Sequence, residues 1–104
     1  MRRAEVWWAE LPPPAGPRPV VLLSRDAALA VRALLVVAPV TTRSRGLPVE
    51  VALGADEGLP LVCVVNCDMI GTIDRSWLRK RLGILDHDKV SELDEALRFA
   101  LGLR

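Results

Sequence analysis

Prolines and glycines divide residues 1–85 into short apolar segments, and this division limits the possible fold more than any other feature. The chain has eight prolines and seven glycines, and none of them lies between residues 87 and 101. Proline interrupts helices and is confined to the ends and edges of strands, and glycine weakens both elements. The pattern therefore predicts several short strands followed by one longer helix.

The apolar segments between these interruptions are typical of short strands. Strands are predicted at 6–11, 19–24, 34–41, 49–53, 61–68 and 82–85. The segment 12–17 must be a loop, and Pro39 indicates an edge strand or a bulge. Ser24 is expected to cap a helical turn over 27–31. A second helical turn is expected over 74–80.

The fifth predicted strand has two different faces. Cys63, Val65 and Cys67 share one face, and Asn66 and Asp68 share the other. The apolar face is expected to point inward, which presents Asn66 and Asp68 together at the end of the strand.

The last segment predicts a helix over 87–101. Asp86 is its expected N-cap and Gly102 its C-terminal glycine. Asp94 and Arg98 have the i,i+4 spacing of an ion pair. The apolar stripe consists of Val90, Leu93, Leu97, Ala100 and Leu101. Short strands with a single C-terminal helix predict a small, strongly bent sheet or partial barrel with the helix packed on it.

Length and composition set limits on function. The 104 residues form one predicted domain, 1–104, and the net charge of +1 means that any nucleic-acid binding needs a local basic patch. With one histidine and the single pair Cys63 and Cys67, reduced core thiols are expected rather than a zinc site. No signal peptide or membrane span is recognisable, so a soluble, cytoplasmic protein is expected.

Six segments, in order along the whole chain, resemble those of the MazF/PemK (Kid) family of toxins from type II toxin–antitoxin systems. They are Arg3–Trp7, Arg18–Leu22, Val37–Thr42, Cys67–Asp74, Leu78–Leu85 and Glu92–Leu103. Three departures accompany the resemblance. Ala4 replaces a glycine, the loop before Arg18 is short where many members carry a longer insertion, and Asn66 stands where some members have arginine.

The resemblance implies an SH3-like partial barrel of the CcdB/MazF type that forms a homodimer. It also implies a sequence-specific endoribonuclease that needs no metal or cofactor and cuts single-stranded RNA. Attack by the 2′-hydroxyl would give a 2′,3′-cyclic phosphate (or 3′-phosphate) and a 5′-hydroxyl end. A MazE-like antitoxin is expected to block the RNA groove.

Three residues are candidates for catalysis. Arg18 matches the family's catalytic arginine, and its guanidinium suits phosphate oxygens; charge stabilisation is the expected role, because a guanidinium is a poor base. Thr41 carries a hydroxyl that can donate to a phosphate oxygen. Asp68 matches a carboxylate that either activates the 2′-hydroxyl or orients the arginine. Without the resemblance, each would be read as an ordinary surface, strand-end or turn residue.

Four residues are candidates for RNA binding: Asn66, Thr42, Arg43 and Arg45. Asn66 could read a base edge or bind a sugar, and the two arginines suit backbone phosphates. The denser basic run, 75–81, is more typical of a solvated surface. The three tryptophans are expected in the core or in a dimer interface rather than stacked on bases, and His87 is expected to be structural or exposed.

Two other functions remain open at this stage. The same fold serves toxins that poison DNA gyrase, and fold does not fix function. The short loop before Arg18 is also consistent with a cleavage-deficient homologue that retains antitoxin binding. The Arg18-Pro19 and Pro39-Val40-Thr41 segments favour the nuclease, because a gyrase poison does not need a phosphate-binding pair.

Overall fold

The computed structural model describes residues 1–104 and contains seven strands, two helices and three single 3-10 turns. The strands are β1 (Glu5–Glu10), β2 (Pro17–Leu22), β3 (Leu34–Thr41), β4 (Glu50–Leu53), β5 (Cys63–Asn66), β6 (Gly71–Asp74) and β7 (Leu78–Ile84). The helices are α1 (Asp26–Val31) and α2 (His87–Leu101). The 3-10 turns cover Ala55–Glu57, Cys67–Met69 and Arg75–Trp77. The predicted mainly-β class with one long C-terminal helix is confirmed.

The strands form one antiparallel sheet around β3. Their order is β4-β5-β3-β2-β1-β7, and β6 also pairs with β3. On the side away from β2, residues 34–37 of β3 pair with β6, whereas Val40 and Thr41 pair with β5. Because one strand joins two different partners on the same side, the sheet curls into a half-barrel.

Of the two predictions for Pro39, an edge strand or a bulge, the edge strand is wrong, because β3 lies at the centre of the sheet. Pro39 pairs with Val20 of β2 but has no partner on the other side, where it falls between the parts of β3 that contact β6 and β5. A proline in that gap leaves no ladder hydrogen bond unmade, which explains why a central strand tolerates it.

The region 71–84 differs most from the prediction. The expected helical turn over 74–80 is confined to Arg75–Trp77, and a strand over 78–84 replaces the one expected at 82–85. Charged residues 79–81 concealed this strand in the sequence. They are exposed because β7 is an edge strand paired only with β1, a position where charged side chains are common. β6 was missed because it has only four residues and begins with glycine.

The fifth strand is shorter than the predicted 61–68. It ends at Asn66, whose Oδ1 accepts a hydrogen bond from the Asp68 backbone N–H at 2.9 Å and starts the following 3-10 turn. The cap of α1 also differs: Arg25 occupies the N-cap position without a side-chain hydrogen bond. Ser24, the predicted cap, accepts instead from the Val36 backbone N–H at 2.8 Å.

Both ends of α2 agree with the prediction. The Asp86 side chain accepts from the Lys89 backbone N–H at 2.8 Å, and Gly102 ends the helix with φ +68°. The predicted Asp94–Arg98 pair is wrong, because Asp94 binds Arg3 at 2.8 Å and Arg98 binds Glu95.

The predicted apolar stripe of α2 is confirmed at Val90, Leu93, Leu97 and Ala100, which pack in or against the first core, and is wrong at Leu101. Leu93 and Ala96 are buried, Val90, Leu97 and Ala100 pack at the edge of the core, and Leu101 is exposed.

Two apolar cores lie on opposite faces of the curled sheet, because successive strand residues point to opposite sides. The first core lies between the sheet and α2 and includes Val6, Val21 and Leu93. The second includes Leu22 and Leu35 and lies under α1. None of the helices is long and apolar enough to cross a membrane.

The two cysteines are free and buried in the first core. Burial raises the pKa of Cys67 to about 11 and also raises the pKa of Cys63. The expectation of reduced core thiols is confirmed.

A buried carboxylate joins β1 to the edge strand β7. Glu5 accepts from the Trp7 indole Nε1 at 2.9 Å and from Arg81 Nε at 3.0 Å, and only 6% of Glu5 is exposed. Burial acts to raise the pKa of Glu5, but hydrogen bonds from Trp7, from the Arg2 backbone and from Arg81 outweigh it and lower the pKa below 4.5.

The Glu5 network predicts a pH-dependent stability. A group whose pKa is lowered by folding stabilises the protein above its ordinary pKa of 4.5 and loses that contribution as the pH falls through the folded value. Urea unfolding of Glu5→Gln at pH 7 should give a free energy lower by about 1 kcal/mol, because Gln keeps an acceptor for Trp7 but loses the ion pair. The difference from wild type should shrink at pH 3; an equal difference at both pH values would contradict this role.

Two glycines allow the segment 54–62 to lie against β7. A Cβ at Gly83 would overlap the Glu57 carbonyl, and a Cβ at Gly58, where φ is +82°, would overlap the Leu82 carbonyl. Both obstacles are backbone atoms, which cannot move aside without displacing the segment. The contact between 54–62 and β7 therefore depends on the absence of side chains at both positions.

Gly83→Ala is expected to lower the free energy of unfolding by about 2 kcal/mol or more, because the new methyl group overlaps backbone. Gly71→Ala is the matched control, since a Cβ there meets nothing within 4 Å and needs no positive φ. Thermal unfolding of both variants measures the difference. Equal melting temperatures for the two would show that the close approach is not required.

Candidate functional site

Arg18 and Thr41 belong to the neighbouring strands β2 and β3 and share the face of the sheet that carries the second core. The β2–β3 ladder ends at the pair Val20–Pro39, and its register continued by two residues would align Arg18 with Thr41. Ala9 pairs with Arg18 and Val64 pairs with Thr41, which continues the row across four strands.

The loop before β2 holds the Arg18 side chain. Its Nε and Nη2 donate to the Ala15 carbonyl oxygen at 3.0 and 2.6 Å. No carboxylate forms an ion pair with this guanidinium, which is half-buried. A carbonyl orients the group without neutralising it, so its charge and its remaining N–H donors are available to an anion. The short loop before β2 therefore orients the Arg18 side chain through the Ala15 carbonyl.

The Thr41 hydroxyl has a free hydrogen. Its Oγ1 accepts from the Arg43 backbone N–H at 3.2 Å, and no acceptor takes the hydroxyl proton. Thr42, Arg43 and Arg45 follow in an exposed loop, and neither arginine forms an ion pair. The end of β3 thus combines a hydroxyl donor with uncompensated positive charges, which is an arrangement suited to phosphate.

Asn66 and Asp68 are placed differently from Arg18 and Thr41. Asn66 lies on the same face as Val64, but its Oδ1 is occupied by the Asp68 backbone N–H. Asp68 is exposed on the 3-10 turn before β6, and its carboxylate makes no hydrogen bond or ion pair.

The register of β6 shows where the turn that carries Asp68 leads. The first residue of β6, Gly71, pairs with Val37, which is about 13 Å from Thr41 along β3 at ~3.3 Å per residue. Asp68 belongs to the turn that leads into this pairing. Arg18 and Thr41 are carried by neighbouring strands of the sheet, and Asp68 is carried by the turn that joins β5 to β6.

Most of the basic run 75–81 has structural partners. The Arg75 guanidinium donates to the carbonyls of Leu29 and Arg32, and Arg81 binds Glu5. These contacts agree with the solvated or structural interpretation of this run.

The aromatic residues and the histidine also have ordinary surroundings. Trp7 and Trp77 pack against the second core, as expected, and Trp8 donates to Glu10. His87 is exposed beside Asp88, away from the strand ends. Nowhere do three or more His, Cys, Asp or Glu side chains gather as metal ligands.

An apolar cavity of about 360 Å³ opens beside the strand ends and was not predicted from the sequence. Its lining includes Trp8, Pro19, Val40, Leu59, Leu61 and Leu82, with Thr41 and Thr42 at one side. Trp8 and Pro19 are opposite each other in the β1–β2 pairing, so their side chains lie on the same face of the sheet and both line the cavity. No local sequence pattern indicates this cavity, because its outer wall comes from the segment 54–62, whose position depends on Gly58 and Gly83.

Comparison with known proteins identifies the family. The family model described as "PemK-like, MazF-like toxin of type II toxin-antitoxin system" matches residues 2–101. The chain belongs to this family. The family resemblance inferred from the six sequence segments is confirmed.

Individual members of the MazF/PemK family agree over nearly the whole chain. The probable endoribonuclease MazF2 of Mycobacterium tuberculosis is 42% identical over 104 residues, covering 98% of this chain and 99% of that protein. The probable endoribonuclease MazF5 of the same species is 42% identical over 101 residues, covering 95% and 91%.

Solved structures of MazF toxins share the fold. The M. tuberculosis toxin MazF-mt6 superposes with a TM-score of 0.89 at 34% identity, covering 96% of this chain and 98% of that one. A mycobacterial endoribonuclease in complex with its cognate antitoxin gives 0.88 at 31% identity, covering 100% and 97%. A MazE–MazF complex from Deinococcus radiodurans gives 0.82 at 30% identity, with coverage of 100% and 97%. These values confirm the predicted barrel of the MazF type.

Proposed function

We propose that this MazF/PemK-family toxin is an endoribonuclease that cuts single-stranded RNA at a short preferred sequence without a metal ion or cofactor. The observation that carries the proposal is the Arg18 guanidinium, which is held by a carbonyl, uncompensated by any carboxylate and carried by the strand next to the one that ends at Thr41. Relatives that are 42% identical are named probable endoribonucleases, which supports the same reaction class.

RNA supplies the nucleophile for this reaction. The 2′-oxygen attacks the adjacent phosphorus, the bond from phosphorus to the 5′-oxygen breaks, and the products are a 2′,3′-cyclic phosphate (or 3′-phosphate after hydrolysis) and a 5′-hydroxyl. One proton leaves the 2′-hydroxyl and one is added to the 5′-oxygen. The protein has to align these oxygens and stabilise the charge that builds on the phosphate.

Arg18 and Thr41 divide this work between them. The guanidinium binds the non-bridging phosphate oxygens, where negative charge accumulates, and donates a hydrogen bond towards the leaving 5′-oxygen. The Thr41 hydroxyl donates to a second non-bridging oxygen. Because the strand register fixes their separation before RNA arrives, little reorganisation is needed in the transition state.

Asp68 is the third proposed catalytic residue. No hydrogen bond or ion pair joins Asp68 to Arg18, so we assign its carboxylate to the RNA, near the 2′-hydroxyl, rather than to orientation of the arginine. Thr42, Arg43 and Arg45 bind the flanking backbone, and Asn66 contributes its amide N–H₂ group, because its Oδ1 is already occupied.

The proposed partners follow from the family. The toxin forms a homodimer in the cytoplasm, and a MazE-like antitoxin with an acidic, partly disordered tail occupies the RNA groove. Solved relatives described as MazE–MazF complexes support such an antitoxin. A carboxylate-rich tail is attracted by the same uncompensated arginines that bind phosphate.

Cleavage of a long single-stranded RNA in excess EDTA tests the proposed function. Wild-type protein should give discrete cuts with 5′-hydroxyl ends. Arg18→Ala should reduce the rate at least about 100-fold, the order seen when a donor to the developing charge is removed. Arg18→Lys should be intermediate, because it keeps the charge and loses the planar fork.

Arg25→Ala is the matched control, because Arg25 is an exposed arginine without a side-chain partner and should leave the rate unchanged. Intact RNA with folded wild-type protein would contradict the nuclease and favour a gyrase poison or a homologue limited to antitoxin binding. Equal cleavage by wild type and Arg18→Ala would contradict the assigned role of Arg18.

A further inference from the structure

The loop that carries Arg43 and Arg45 has no regular structure of its own. It connects β3 to β4 through residues 42–49, and residues 42–48 are all exposed. Residues in such a segment lose conformational entropy when they are fixed, so an unrestrained loop would present its arginines in many directions. Something outside the loop must hold it if the arginines are to meet phosphates at fixed positions.

Glu50, the first residue of β4, holds this loop. Its Oε1 accepts from the backbone N–H groups of Arg45 at 3.0 Å and Leu47 at 3.2 Å, and from Ser44 Oγ at 3.4 Å. Its Oε2 also accepts from the Arg45 N–H, at 3.1 Å. One carboxylate thus collects four contacts from three loop residues.

The ionisation of Glu50 agrees with this arrangement. Burial acts to raise the pKa of Glu50, but the backbone N–H groups of Leu47, Arg45 and Gly46 and the Ser44 hydroxyl outweigh it and lower the pKa. The carboxylate is therefore charged at neutral pH, and charged acceptors form the stronger hydrogen bonds. Gly46, with φ +66°, gives the chain the curl that points these N–H groups at one acceptor.

The contacts of Glu50 are made to the backbone and leave the arginine charges free. Neither Arg43 nor Arg45 pairs with Glu50 or with any other carboxylate. The nearest other carboxylates in the groove beside Glu50 belong to Glu92 and Glu95 of α2, and these pair with Lys89 and Arg98. The loop is fixed without loss of its positive charge.

We propose that Glu50 is a positioning residue for RNA binding: it fixes the 42–49 loop so that Arg43 and Arg45 are presented beside Thr41. This inference rests on the proposed function, since it assigns the two arginines to RNA phosphates. Glu50 itself does not touch the RNA, and its effect passes through the backbone of the loop. The register of β4 with β5, in which Glu50 pairs with Asn66, ties the loop to the rest of the site.

Glu50→Gln tests the proposal, because it keeps the size of the side chain and removes its charge and one acceptor oxygen. Amide hydrogen exchange at Arg45 and Leu47 should become faster, and KM for RNA should rise while kcat stays near wild type. Binding of a 2′-O-methyl RNA oligonucleotide of mixed sequence, which lacks the nucleophile, should depend less on salt. Loss of both phosphate contacts would reduce the slope of log K against log salt by about 1.4.

Glu92→Gln is the matched control, since it removes a carboxylate from the same groove that makes no contact with the loop. It should leave exchange, KM and the salt slope unchanged. In an Arg43→Ala/Arg45→Ala background, Glu50→Gln should add nothing further to the loss of RNA binding, because the groups through which it acts are absent.

Two results would overturn the proposal: unchanged exchange at Arg45 and Leu47 in Glu50→Gln, or an equal loss of binding from Glu50→Gln with and without the two arginines. The exchange and binding measurements do not require cleavage. A failure of the proposed nuclease therefore appears as uncut RNA in the EDTA assay, whereas a failure of the Glu50 assignment appears in the exchange rates and the salt slope.

Discussion

The pairing of β3 with three different neighbours is the constraint on which the rest of the structure depends. One edge of β3 binds β2, and its other edge binds β6 along the first half and β5 at the end. The change of partner at Pro39 curls the sheet and directs the ends of β2, β3 and β5 to one place. Both cores form on this curled sheet, and the β2–β3 register, continued two residues past its last pair, aligns Arg18 with Thr41.

The charges at this end of the sheet follow a consistent rule. Apart from Asp68, whose carboxylate has no partner, the carboxylates here are hydrogen-bonded to the backbone or paired on other surfaces, whereas the cationic groups of the proposed site are left without counter-charges. The Glu50 carboxylate accepts hydrogen bonds from loop N–H groups. Arg18 is oriented by the Ala15 carbonyl rather than by a carboxylate. A chain of net charge +1 can thereby offer a locally positive surface to an anion.

Local signals made part of this structure predictable. The caps Asp86 and Gly102 and the apolar spacing between them fixed α2, because a helix end depends on nearby residues. β7 was not predicted, because the charged residues 79–81 suit an edge strand and conceal its alternating pattern.

Arg18 and Thr41 were found only through the family resemblance. Each is an ordinary residue by itself, and their alignment depends on pairing between strands. The apolar cavity and the Glu50 contacts depend on tertiary contacts that no local pattern encodes.

The central claim is that strand register makes Arg18 and Thr41 one phosphate-binding unit, and a double-mutant cycle tests it most directly. Single-turnover cleavage in EDTA would be measured for wild type, Arg18→Lys, Thr41→Val and the double variant; lysine keeps the rates measurable. We predict a coupling energy of about 1 kcal/mol or more, as expected for groups that share one ligand. Losses that add to within about 0.3–0.5 kcal/mol would mean that the two residues act independently and would contradict the account.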